Sequence, residues 1–298
     1  MYDYKIFKNL TRKDIEKYLQ KNKETNSEFW RLVSQNPNIS ESFIEKCADK
    51  VNWVYISSDQ ELTEPFIEKH ANQVDWPLIS HHQKLTETFI EKHANEVCWK
   101  LISKYQELSE PFIEKHASEV DWNFISMYQR LTEPFIEKHA DKVNWNYISA
   151  YQKLTESFIE KHADKVNWGG ILESQELTEQ FIEKHIDKFD WKGEGIDWEG
   201  ISRYQKLSES FIEKHENEVD WNAISACQEL SEAFIEKYAD RVNWDWIAAY
   251  QKITESFIEK YADRVHWGKI PVYRNLSKSF IVSHIEHSED YITEYDEK

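Results

Sequence analysis

Glutamates four residues apart recur in ten pairs and are the first candidates for chemistry: Glu41/Glu45, Glu64/Glu68, Glu87/Glu91, Glu110/Glu114, Glu133/Glu137, Glu156/Glu160, Glu179/Glu183, Glu209/Glu213, Glu232/Glu236 and Glu255/Glu259. On a helix this spacing sets both carboxylates on one face. Two carboxyl groups in unlike surroundings can divide acid and base work between them. These pairs sit in equivalent contexts that give the two groups no means of diverging, so catalysis is not expected. A second row is histidine: His70, His93, His116, His139, His162, His185 and His215, with Cys47, Tyr238 and Tyr261 in the same place elsewhere. Zinc holds its ligands at about 2 Å while packed helices stand about 8–10 Å apart, so these imidazoles are read as half-buried packing groups rather than metal ligands. His81-His82 and His284/His287 are too sparse for a metal site. A third row is tryptophan: Trp53, Trp76, Trp99, Trp122, Trp145, Trp168, Trp191, Trp221, Trp244 and Trp267. Such a row could stack bases or sugars, but an aromatic at a fixed place in every copy is expected to fill the contact between neighbours. No GxSxG, HExxH, Walker-type or dinucleotide fingerprint is present.

The three rows share one period because the chain repeats itself every 23 residues. Copies open at Ile39, Leu62, Leu85, Leu108, Leu131, Leu154, Leu177, Leu207, Leu230 and Ile253; only the copy at 177–206 is longer, with 30 residues. Each opens on an apolar residue followed by Ser or Thr, the preferred helix N-cap, and then by Glu at the positive end of the helix dipole. Pro65, Pro111 and Pro134 fall in the first turn, where a missing N–H costs little. Phe135, Ile136, Ala140 and Val143 have helical spacing and predict a first helix of about ten residues. Asn or Asp before the recurring Trp marks a second cap in all copies but those with Cys98 and His266. Trp145, Tyr147, Ile148 and Tyr151 then share helical spacing, ending near Gln152 and Lys153. Helices this short are marginal alone, so stacking must supply the stability. The fold class expected is all-α: an α-solenoid of two-helix repeats over 39–275, with degenerate caps at 1–38 and 276–298.

Asp and Glu outnumber Lys and Arg by 55 to 37, a formal charge of −18, which disfavours nucleic-acid phosphates and anionic membranes as direct ligands. Cys47, Cys98 and Cys227 fall at three different repeat positions and form no disulfide or zinc framework. Without an apolar leader or a run of about 18 apolar residues, the chain reads as a soluble cytoplasmic protein.

The consensus L-[ST]-E-x-F-I-E-K-x-A-x-x-V-[ND]-W-x-x-I-S-x-Y-Q resembles a short αα-repeat found in proteins of giant DNA viruses and in some phages and bacteria. The resemblance spans about 39–275 and implies an α-solenoid. In a viral setting it implies host-protein binding or interference with host defence. It supplies no catalytic residues and no cofactor.

The function expected is therefore a non-enzymatic scaffold that binds a protein with a basic surface through its acidic ridge, Glu110, Glu114, Glu133, Glu137, Glu156 and Glu160 among its members. A sharper alternative is a decoy that mimics nucleic-acid charge, and a third is a small-ligand binder. One place breaks the regularity: five of the six glycines lie between Trp168 and Ile201, and Asp190-Trp191-Lys192-Gly193 is nearly echoed by Asp197-Trp198-Glu199-Gly200. A loop with Trp198 exposed as a partner anchor, flanked by Glu194 and Asp197, is the local site expected there.

Overall fold

The computed structural model describes residues 7, 9–21, 26–190, 195–270 and 276–284. Among these residues the structure is all-helical, with 22 α-helices, two short 3-10 segments and no strand. The chain divides into two compact halves, Met1–Gln152 and Lys153–Lys298, each an α-solenoid in which two-helix repeats pack neighbour to neighbour. No helix among the described residues is long and apolar enough to cross a membrane.

The repeat at 62–84 shows how the sequence builds the unit. Thr63 is extended and its Oγ1 accepts the Phe66 N–H, which starts the helix Glu64–Lys69 with Pro65 in its first turn. This helix has six residues rather than about ten. His70 ends it, and the His70 carbonyl then accepts the N–H groups of Gln73 and Val74 in a tight turn. The spacing to Ala71 and Val74 that suggested a longer helix belongs to this turn. Asp75 caps the second helix, Trp76–His82, by accepting the Leu78 N–H at 3.1 Å. Ile67 and Ile79 are fully buried, with Leu62, Phe66 and Val74 almost so. Ser40 is the one opening hydroxyl in the described repeats that makes no such cap; it accepts instead from Arg12 Nη1 at 3.2 Å.

Second helices stack on second helices. In the first half 53–59, 76–82, 99–105, 122–128 and 145–151 follow one another; in the second, 168–174, 198–204, 221–227 and 244–250 do. The helix Ser27–Ser34 packs on 53–59, the first of these, and its Phe29 is buried against Phe7 and against Tyr18 of the helix Arg12–Lys21. Near the other end, Phe280 and His284 meet Trp267 as Phe and His meet Trp within the regular repeats.

The long copy keeps register on either side of its extra residues. Phe189, fully buried and edge-on to Trp168, occupies the place of the usual valine. Its carbonyl accepts the Asp197 N–H at 3.0 Å, a bond that spans the seven residues between them in sequence. Gly195 helps the chain return: its φ is 106°, a region other residues avoid, and its N–H donates to Asp190 at 2.9 Å. Gly200 then allows close packing, since a Cβ there would lie 2.8 Å from Leu172 Cδ2. The helix resumes at Trp198, which takes the ladder place that the sequence reading gave to Trp191. Trp191 and Glu194 lie outside the described residues.

Candidate functional site

The paired glutamates are used between repeats. The first of each pair reaches the next repeat and accepts the backbone N–H of its capping Ser or Thr: Glu64 from Thr86 at 2.6 Å, Glu110 from Thr132 at 2.6 Å, Glu156 from Thr178 at 2.6 Å. The second pairs with the lysine of the next repeat: Glu68 with Lys92, Glu114 with Lys138, Glu160 with Lys184, Glu183 with Lys214 at 2.6 Å. Glu133 and Glu137 hold the same positions in the helix Glu133–Lys138. The lysine hydrogen bond holds the carboxyls of Glu68, Glu91, Glu114, Glu160 and Glu183 below the ordinary range. Solvent screening keeps each exposed pair weak. The clamp explains why Phe-Ile-Glu-Lys stands unchanged in every copy: the glutamates and lysines lock consecutive repeats together.

The tryptophan and histidine rows form a second connection. Trp122 lies 6.3 Å from Phe135 and 5.0 Å from His139 of the next repeat, and its Nε1–H donates to the Ala117 carbonyl at 3.0 Å. The Nε2 atoms of His70, His93, His116, His139 and His185 are buried with no hydrogen-bond partner. Burial holds the His139 imidazole below the ordinary histidine range, opposed by the Glu114 carboxylate and assisted by Lys142 and Lys138. A depressed histidine pKa contributes stability that is present above the ordinary value, about 6.5, and is lost as pH falls through the folded value. The melting temperature is therefore expected to fall between pH 7 and pH 5, above the range where carboxylates titrate. His139→Tyr, the residue type already present as Tyr238 and Tyr261, should reduce that fall. An equal fall in wild type and variant would refute the assignment.

Trp198 and Asp197 belong to this same framework. Trp198 is half-buried, 4.9 Å from His215, and Asp197 caps its helix by accepting the Gly200 N–H at 2.9 Å. The expected exposed anchor is thus a rung of the tryptophan row.

A glutamine row escaped the sequence reading. Gln83, Gln106, Gln129, Gln205, Gln228 and Gln251 are buried, and each carboxamide ties two repeats. Gln129 Nε2 donates to the Ser103 and Gln106 carbonyls at 2.9 and 2.8 Å while its Oε1 accepts the Leu108 N–H at 3.0 Å. Ser103 adds a further bond: its Oγ donates to the Trp99 carbonyl and accepts the Asp121 N–H. The recurrence of Gln after Tyr was the available signal.

One row remains unsatisfied by the fold. Tyr105, Tyr128 and Tyr151 end consecutive second helices and are 44%, 45% and 56% exposed. Phe124 and Tyr147 lie 6.0 and 6.1 Å from Tyr128 and Tyr151 on the same helices. The four second helices 76–82, 99–105, 122–128 and 145–151 carry no carboxylate but include Lys100 and Lys104. In the second half Tyr204 and Tyr250 are similarly exposed, but Glu199 and Asp245 stand on those helices. Among the described residues no group of three or more His, Cys, Asp or Glu side chains is arranged to hold a metal ion. No protein-family model, curated protein or solved structure matches the chain.

Proposed function

We propose that the chain is a non-enzymatic scaffold for a protein partner and that its contact surface is the aromatic side of the second helices, not the acidic ridge. The observation that carries this is the exposed tyrosine row. Aromatic side chains held at regular intervals by rigid helices offer contact area at low entropic cost, and these three rings are left half exposed by the fold. The ridge carboxylates, by contrast, are engaged in holding neighbouring repeats. The resemblance to viral repeats points to a host protein as the partner, and the three unpaired cysteines suit a reducing cytoplasm.

The charge-decoy reading retains the formal charge of −18 in its favour. The small-ligand reading has a depression of about 590 Å³ beside Cys227, Tyr250 and Lys252, open to solvent. A nuclease-treated lysate pull-down at low salt and at about 0.3 M separates the readings. Salt-resistant capture lost with Tyr128→Ala is the expected result. Capture confined to low salt and lost with Glu110→Gln/Glu114→Gln would favour the decoy. Capture of nothing would overturn the scaffold.

A further inference from the structure

The tyrosine row also has a spacing, and spacing selects a ligand. Lys104 Nζ lies 4.7 Å from the ring centre of Tyr105 and 5.4 Å from that of Tyr128. The two rings therefore stand no more than about 10 Å apart, in keeping with the roughly 8–10 Å between packed helices. A helical peptide turns every 5.4 Å or so, and a β-strand returns to the same face about every 6.6 Å. A polyproline-II helix returns every three residues, about 9.3 Å, the single-period return nearest the roughly 8–10 Å between packed helices. Its prolines suit aromatic surfaces, and its conformation is set before binding.

Charge narrows the choice further. The helices bearing these rungs have no carboxylate, Lys100 is exposed, and Lys104 lies among the rings of Tyr105, Phe124 and Tyr128. Acidic residues between the prolines would meet these lysines.

We propose that the face formed by Tyr105, Tyr128 and Tyr151 binds a proline-rich segment of a partner protein in the polyproline-II conformation. A proline rests against each tyrosine, and acidic residues lie beside Lys100 and Lys104. The proposal rests on the protein-scaffold reading and names its ligand class.

The test uses the full chain and a fluorescein-labelled peptide of about twelve residues, four polyproline-II turns, with Pro at every third position and Glu among the others. Binding is read by fluorescence anisotropy at about 0.15 M salt. A peptide of the same composition with its prolines out of register should bind at least about tenfold more weakly. Tyr128→Ala should weaken the registered peptide on the order of tenfold, while Tyr250→Ala, at an exposed tyrosine beside Asp245, should leave it unchanged. Circular dichroism confirms that both variants fold. Equal binding of the two peptides, binding of neither, or no effect of Tyr128→Ala overturns the proposal. Further arms show whether the scaffold reading falls with it. If a single-stranded oligonucleotide binds wild type and not Tyr128→Ala, both fail. If no peptide binds but self-association by sedimentation is lost with Tyr128→Ala, the ligand class fails and a protein partner, a second copy, remains.

Discussion

Gln129→Leu is expected to lower the stability of the first half by about 3–5 kcal/mol, although the two side chains are nearly equal in volume. The substitution strands three buried backbone groups at once: the Ser103 and Gln106 carbonyls and the Leu108 N–H. Each unsatisfied buried group costs about 1–3 kcal/mol, whereas the leucine gains only modest apolar burial in exchange. Gln129→Glu should also destabilise near neutral pH, because a carboxylate can accept from Leu108 but faces the two carbonyls with no proton to give. Urea denaturation followed by circular dichroism measures the loss, and amide exchange at Leu108 reports it locally. A loss below about 1 kcal/mol would show that the neighbouring repeats close around the gap without the carboxamide.

Trp122→Ala is expected to cost about 3 kcal/mol or more, because it removes a large side chain from between two repeats and leaves a cavity beside Phe135 and His139. Trp122→Phe keeps most of the ring contact and gives up the bond to the Ala117 carbonyl, so its cost should be nearer 1 kcal/mol. Repeats touch only their neighbours, so a weakened contact should also broaden or split the unfolding transition. Trp198→Ala belongs in the same experiment. Its half-buried place against His215 predicts a comparable loss of stability. An unchanged urea midpoint would instead return Trp198 to the role of a surface anchor.

The period, the caps and the tryptophan row were legible because each is a local signal. Thr63, Asp75 and their equivalents act within a few residues, and a recurring Trp needs no partner to be noticed. What stayed hidden acts across the repeat. Glu64 bonds Thr86 and Lys92 bonds Glu68, offsets of 22 and 24 residues that helical periodicity does not test. A polar side chain just past a helix end is read as solvated by default, and Gln129 follows the helix Trp122–Tyr128. The second helix misled in a different way. Trp145 and Ile148 share one face while Tyr147 and Tyr151 share another, so one apparent stripe held both a packing surface and an exposed row. At the long copy the near-duplicate Asp-Trp motifs offered two registers, and the bond from Asp197 to Phe189 selects the second.

The clamp between repeats has a direction. In the contacts described above glutamate reaches forward, and the next repeat supplies the capping N–H and the lysine; after the last copy Ser283 stands where that lysine would be. Every such contact joins positions a nearly fixed number of residues apart, so copying or deleting one whole repeat rebuilds each contact from identical parts. A gene encoding this chain can therefore lengthen or shorten by unequal recombination without evolving a new interface. Only an insertion that is not a whole period must be absorbed, as the bond from Asp197 back to Phe189 absorbs the extra seven residues of the long copy. Length is thereby the most freely evolvable property of this fold, and with it the number of rungs available to a partner.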